Sequence, residues 1–382
     1  MTDEKIIGLA EEIFEEAVAI RRELHRFPEL GRQEFNTTKF IISHLEKWGI
    51  EYYTPLETGA VAVIRGREKG RTVALRADID ALPLKEKTDV PFKSENEGVM
   101  HACGHDLHTA ALLVTARLIK ENADRLKGEV RLIFQPDEEG DGGAERLTQK
   151  GVMDGVDEVY GIHVTPELAF DTVAVRYGSF YAASDIIEID VIGKGGHGAQ
   201  PHKNIDAILV ASHIVVALQS IISRNVNPVD SAVLTVGTIN GGIFRNTVSG
   251  RCELTGIVRS FGREKRDYLT QRVVKTAEGV AAAYGARAEV RIIESYPGIF
   301  NPNEPTDYVR GCAESLFGKE KVVVLENPGM VSEDFGYYQQ RARGSFYHIG
   351  CGSENVLHSE LFCPDERVLK TMVAMHLKTV FG

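Results

Sequence analysis

His101-Ala102-Cys103-Gly104-His105-Asp106-Leu107-His108 packs three histidines and a cysteine into eight residues, directly ahead of an apolar helical stretch. Such density rarely serves packing alone. Alternate residues of an extended segment face the same side, so Cys103 and His105 can turn toward one cation, and a thiolate with an imidazole suits zinc or a similar transition metal. A second group, Asp137-Glu138-Glu139, follows the apolar run 130–134. Neighbouring side chains diverge, which lets adjacent carboxylates take two roles, one binding metal and the other acting as general base on a water. His163 stands inside the apolar run 159–164 and His358 in a loop near the chain end. With Cys103, His105 and Glu139 they would complete five ligands, the set that two neighbouring ions sharing a water require.

Asp78-Ile79-Asp80-Ala81-Leu82-Pro83 follows another β-rich run and could supply carboxylates that orient a ligand; a turn with Asx-type capping is the plainer reading. Gly193-Lys194-Gly195-Gly196-His197-Gly198 is glycine-rich, yet it lacks the Lys-Ser/Thr ending of a P-loop and the dinucleotide spacing. No phosphate cradle is expected there. Glycines around one histidine instead free the backbone to present His197 outward as an oxyanion-stabilising donor. Two rival chemistries use the same residues: a structural metal site without catalysis, and a thiol hydrolase with Cys103 as nucleophile beside His105.

The elements that must position these residues alternate. Helical periodicity covers 6–25 and 37–48, β-rich runs follow at 60–64 and 72–76, and then come a helix at 107–119 and strands at 130–134 and 159–164. Strands alternating with helices predict an α/β domain with a mostly parallel sheet covered on both faces, whose sites lie at the carboxyl ends of strands. From residue 184 the order changes: strand 186–192, helix 205–223, strands 232–239 and 252–259, helix 264–284, strand 288–293. That is β-α-β-β-α-β, a ferredoxin-like unit. Helix 306–316, strand 322–325, helix 333–340, strand 346–350 and helix 366–380 then resume the first pattern. Because His163 and His358 flank the ferredoxin-like unit and must meet, one catalytic domain is expected from 1–182 and 296–382, interrupted by an insert at 183–295.

The 382 residues carry 44 Lys+Arg against 55 Asp+Glu, a formal charge of −11 that repels phosphate backbones. No nucleic-acid partner is expected. The longest apolar runs, such as 210–218, are interrupted by Ser212 and His213 and fall short of the roughly 20 residues of a membrane span, so no membrane role is expected either. An acidic start without a basic n-region, and five scattered cysteines that suit reduced thiols, predict a cytoplasmic protein.

In order, residues 24–31, 76–83, 101–108, 135–140, 195–202 and Ser332-Glu333-Asp334-Phe335 resemble the metal-dependent amidohydrolases of the zinc exopeptidase superfamily: aminoacylases, hippurate hydrolases, auxin-conjugate hydrolases and N-acetyldiaminopimelate deacetylases. The resemblance implies a three-layer, mostly parallel catalytic domain with an inserted ferredoxin-like lid or dimerisation domain. It implies two divalent ions (Zn, Mn, Co or Ni) held by Cys103, His105, Glu139, His163 and His358, with Glu138 as general base and Asp78 and Asp80 at the site. It also implies that His197, Asn246 and Arg259 reach the substrate, in some relatives across a homodimer, and Arg259 would grip a free carboxylate. The chain departs from the family in reading Asn246-Thr247-Val248-Ser249 where Asn-Val-Ile-Pro is frequent. The implied activity is hydrolysis of the amide bond of N-acyl amino acids by a metal-activated water. N-acetyldiaminopimelate deacetylase, metallo-dipeptidase and carboxypeptidase are the alternatives.

Overall fold

Apolar runs too short for helices form the middle of an eight-stranded sheet. In the computed structural model, which describes residues 1–382, Lys127–Gln135, Glu68–Asp78, Glu158–Thr165 and Arg343–Gly350 lie side by side in that order, all parallel. Glu158–Thr165 is buried at every position, as befits a parallel strand covered on both faces. Ala60–Arg65 and Glu51–Tyr53 extend one side antiparallel. Val173–Val175, antiparallel to Arg343–Gly350, and then Val322–Val324 extend the other.

These strands belong to a compact unit made of Met1–Phe180, Phe300–Asn327 and Asp334–Gly382. Helix His105–Glu121 is buried along nearly its whole length, and Phe14–Arg26 and Val368–Phe381 pack against it. The expected helix over 6–25 is two, Asp3–Glu12 and Phe14–Arg26, divided at Ile13, where ψ is −7°. The expected helix at 333–340 shrinks to Gly336–Gln339. Its first residues are diverted because the Asp334 carboxylate is buried and accepts from Gln135 and from the Ala144 N–H.

A second compact unit comprises Tyr181–Ile299 and Pro328–Glu333. Its strands Ala183–Ile192, Ala232–Gly241, Arg251–Ser260 and Arg287–Glu294 and its helices Ala207–Asn225 and Arg263–Ala283 follow the β-α-β-β-α-β order. The second strand in sequence lies at one edge, followed across the sheet by the third, first and fourth, every pair antiparallel. This is the ferredoxin-like arrangement. Helix Ala207–Asn225 is long and apolar enough to cross a membrane by length and composition, with a mean hydropathy of 1.7. Here it buries Val210, Ala211, Ile214, Leu218 and Ile221 in the core of its own unit, together with Ile187, Ile189 and Leu254 of the sheet.

Candidate metal centre

Parallel strands deliver their carboxyl ends to one edge of the sheet, and three neighbours end there together: Asp78 lies opposite Gln135, and Arg76 opposite Gly161. Asp78 and Asp80 therefore leave one strand where Glu138 and Glu139 leave the next. His163 sits two residues before the end of Glu158–Thr165. Helix His105–Glu121 begins at the same edge, entered through Gly104 at φ +86°. A Cβ on Gly104 would lie 2.4 Å from Val164 Cγ2. Gly104→Ala therefore combines a left-handed backbone penalty with a clash between the Cys103–His105 turn and the His163 strand. It is expected to cost about 2 kcal/mol or more, read as a lower denaturation midpoint together with reduced metal content.

Three overlapping groups gather at this edge, each with its possible ligand atoms within 4.8 Å of one another: Cys103, Glu139 and His358; His105, Glu138 and Glu139; and Asp78, His105, His108 and His163. Cys103 Sγ is 3.4 Å from His163 Nε2, and His358 Nε2 is 3.0 Å from Glu139 Oε1. His358 is carried by a loop, at φ +62°, and its backbone N–H is anchored on the Ala102 carbonyl. The hydrogen bonds decide which ring nitrogens are free. His105 Nδ1 faces two acceptors, the Asp80 carbonyl at 3.0 Å and Asp80 Oδ1 at 3.2 Å, so it carries the proton. His163 Nδ1 likewise donates to the Val164 carbonyl at 2.7 Å. In the neutral ring of each, Nε2 is then the nitrogen left to face a cation.

His108 differs. Its Nδ1 donates to Asp78 Oδ1 at 2.6 Å, and its Nε2 accepts the Val164 N–H at 3.0 Å. With its lone pair engaged it braces the site, tying Asp78 to the His163 strand.

The three remaining predicted residues lie in the ferredoxin-like unit. His197 is exposed on Gly196–His197, which pairs with Thr247–Val248; its Nδ1 accepts the Ala199 N–H at 3.1 Å, which leaves the neutral ring's proton on Nε2. The Asn246 carbonyl accepts the Gly198 N–H at 2.8 Å. Arg259, half-buried in Arg251–Ser260, donates to the Met330 carbonyl at 3.0 Å, and burial lowers its pKa.

Residues 74–381 match the profile of peptidase family M20/M25/M40. The chain belongs to that family. It is 44% identical over 354 residues to an N-acetyl-L-cysteine deacetylase of Bacillus subtilis (strain 168), covering 92% of this chain and 84% of that protein. It is 40% identical over 383 residues to thermostable carboxypeptidase 1 of Saccharolobus solfataricus, covering 98% and 96%. Among solved structures it is similar to a dinuclear metal-binding peptidase of the M20 family from Bacillus subtilis, with a TM-score of 0.86 and 34% identity over 97% of this chain and 98% of that one.

The donor set of this M20-family chain fits cations. His105 Nε2 is buried without a hydrogen-bond partner, 3.6 Å from Asp78 Oδ2. Burial opposes charge on His105, yet Asp78, Asp80 and Glu139 outweigh it and push its pKa up to about 10. Burial, then Glu139, Glu138 and Asp78, push the Cys103 thiol well above its ordinary value. Carboxylates thus exceed positive charge in a dry pocket, and a divalent ion supplies what is missing. One thiolate with imidazoles and carboxylates is a mixed set of the kind zinc-class ions take, and it is unlike the Cys-rich closed sites of structural zinc.

Several residues that hold this M20-family site escaped the sequence reading. Arg76 is fully buried and donates to Asp78 Oδ2 at 2.6 Å, Gln135 Oε1 at 2.8 Å and Asp334 Oδ1 at 3.1 Å. Burial would raise the Asp78 carboxyl, but Arg76, His105 and His108 outweigh it and hold Asp78 well below the usual carboxylate range. An arginine inside the apolar run Leu75-Arg76-Ala77 was the available signal. Asp106 turns away from the metal pocket, taking Arg21 Nε at 2.7 Å and His25 Nδ1 at 2.8 Å. That contact gives the 24–31 segment a role in fixing the helix start.

Proposed function

We propose that this hydrolase cleaves the amide bond of N-acyl amino acids at a centre of two divalent ions. The observation that carries the reading is the convergence of Cys103, His105, Glu139, His163 and His358 around a buried, cation-deficient pocket with Glu138 beside it. We assign the first five as ligands. Zinc, manganese, cobalt and nickel all suit such mixed ligands. Bound there, the ions would lower the pKa of a water and polarise a carbonyl oxygen.

The chain's own groups do the rest. Glu138 takes the proton from the attacking water on a carboxylate oxygen and delivers it to the departing amine nitrogen. Asp80 holds His105 by its Nδ1–H and Glu139 by its backbone N–H, 3.0 Å from Asp80 Oδ2, so one carboxylate orients two ligands. Asp78, fixed by Arg76 and His108, keeps negative charge beside His105. His197 offers its Nε2–H to the oxyanion, Asn246 lines the same loop pair, and Arg259 grips the carboxylate of the amino-acid half.

A panel of N-acetyl and N-benzoyl amino acids, N-acetyldiaminopimelate and dipeptides, run after reconstitution with each metal, tests this. N-acyl amino acids are expected to give the highest kcat/KM; dipeptides ahead of them would overturn the reading in favour of a peptidase, which the likeness to a carboxypeptidase keeps in view. Within the panel, Arg259→Ala should raise KM about tenfold or more for carboxylate-bearing substrates, as expected when a charged hydrogen bond is lost, and should leave amide-capped analogues little changed.

We further propose a homodimer formed through the ferredoxin-like unit, supported by its open-edged strand Ala232–Gly241 and by exposed Leu209 and Val216 on helix Ala207–Asn225. A cytoplasmic location is supported by five cysteines that all stand as free thiols.

A further inference from the structure

Glu34 is a fully buried carboxylic acid in the larger unit that the chemistry above does not use. It precedes helix Phe35–Lys47, and its backbone carbonyl accepts the Thr38 N–H. One side-chain oxygen, Oε1, accepts the backbone N–H of Asp137 at 2.8 Å; the other is buried without a partner. Asp137 is the residue before Glu138 and adopts a left-handed φ of +58°. That turn is tightly built. The Asp137 carbonyl accepts the Gly143 N–H at 2.9 Å, and its carboxylate pairs with Arg146 at 2.5 Å. The carboxylate also lies against Gly31 and Gly140, where a Cβ would come within 2.3 Å of Oδ1.

The charged group facing Glu34 is Asp80, from the segment after Glu68–Asp78; the Asp137 and Glu34 backbone N–H groups and the Thr58 hydroxyl add only neutral contacts. Arg146 is spent on Asp137. Asp80 accepts the His105 Nδ1–H on Oδ1 and the Glu139 N–H on Oδ2, so both of its oxygens are engaged. Of two like acids in one dry region, the one with a buried oxygen left unpartnered, Glu34, gives up its charge. Burial, opposed by backbone hydrogen bonding and aided by Asp80, pushes the Glu34 pKa up to about 7.

We propose that Glu34 is a positioning residue that works as a neutral acid, bracing the Asp137 turn that presents Glu138 and Glu139, and that its ionisation drives Asp80 from its place and lowers hydrolysis. The proposal rests on the roles assigned above to Glu138 and Glu139. An ionised Glu34 would gain strength in its bond to the Asp137 N–H. Against these neutral donors stand two like charges, Glu34 and Asp80, across a low-dielectric interior, and Asp80 yields by moving or by admitting water. Either response disturbs His105 and Glu139 together.

The test is Glu34→Gln, which keeps size and an acceptor oxygen but cannot ionise. In the metal-loaded enzyme, wild-type kcat/KM should fall as pH rises through about 7, and in Glu34→Gln that limb should move alkaline by about one pH unit or more. Activity of the variant below the limb should stay within about twofold of wild type, since the neutral acceptor is retained. Superimposable pH profiles would overturn the proposal.

A second readout needs no turnover, so it separates failure of this proposal from failure of the assigned reaction. The folded state holds a proton that the unfolded chain releases near 4.5, so the neutral acid's stability contribution is full below 4.5 and lost as pH rises to about 7. The melting temperature of wild type minus that of Glu34→Gln should therefore fall across that window and level off above it. A flat difference would overturn the neutral acid even if the variant proved inactive. Should Glu34→Gln not fold, Glu34→Asp with the same pH series reports the same limb, shifted by the shorter reach.

Discussion

Glu138→Gln is expected to lower turnover by a factor of about 100 to 10,000 while leaving the metal content of the protein unchanged. Glutamine matches glutamate in size and keeps an oxygen that can accept a hydrogen bond, so packing at this nearly buried position survives. What disappears is the capacity to take a proton. Glu138 and Glu139 are neighbours in sequence but differ in surroundings: the Glu139 backbone is held by Asp80 and its carboxylate meets His358 at 3.0 Å, whereas Glu138, 7% exposed, lies within reach of His105 and Glu139. Metal analysis and steady-state kinetics on the same preparation separate the two roles. Retained activity would remove Glu138 as the base, and loss of an ion would make it a ligand. Glu139→Gln is the mirror experiment, with ion content falling along with rate.

How much of this was readable in the sequence follows from how far apart the cooperating residues lie along the chain. The runs 130–134 and 159–164 announced buried parallel strands because both faces of each had to be apolar, and the β-α-β-β-α-β order followed from the succession of strand and helix runs. Cys103, His105, Glu138 and Glu139 stood out because metal-binding and proton-carrying side chains were concentrated where strands and helices had to end. His163 and His358 were weaker signals singly and gained weight only through the set.

The bracing groups left fainter traces, a charged residue in an apolar run at most. Arg76 reaches Asp334 and Gln135 reaches the same carboxylate, contacts 258 and 199 residues apart in sequence, and no local pattern encodes a partner at that distance. Glu34 carried no signal in the sequence, since its burial and its bond to Asp137 depend on a segment far along the chain. His108 sat inside the densest motif, yet its task was decided by a backbone N–H on another strand. Local pattern thus reported which residues can react, and tertiary closure decided which of them hold the others still.

Stripping the metal with a chelator is expected to abolish hydrolysis and to lower the melting temperature, with both restored by a divalent ion. Each ion present at 100 times its dissociation constant adds about 2.7 kcal/mol to folding, and for a domain of about 250 residues that corresponds to some 5–10 °C. The arrangement of charge makes the effect depend on pH with a definite sign. Cys103 is buried beside Glu139, Glu138 and Asp78, which together hold its thiol protonated well above the ordinary range; binding an ion must expel that proton, so affinity weakens as pH falls. Titrating the stripped protein with zinc or manganese at two pH values and recording melting temperature should show the larger gain at the higher pH. Cys103→Ser, with a poorer donor of similar size, should flatten that pH dependence and weaken binding of one ion. A thiol hydrolase would behave oppositely: the stripped protein would keep its activity, and alkylation of Cys103 would destroy it. Ion-free activity is therefore the outcome that would sink the metal centre as the seat of hydrolysis.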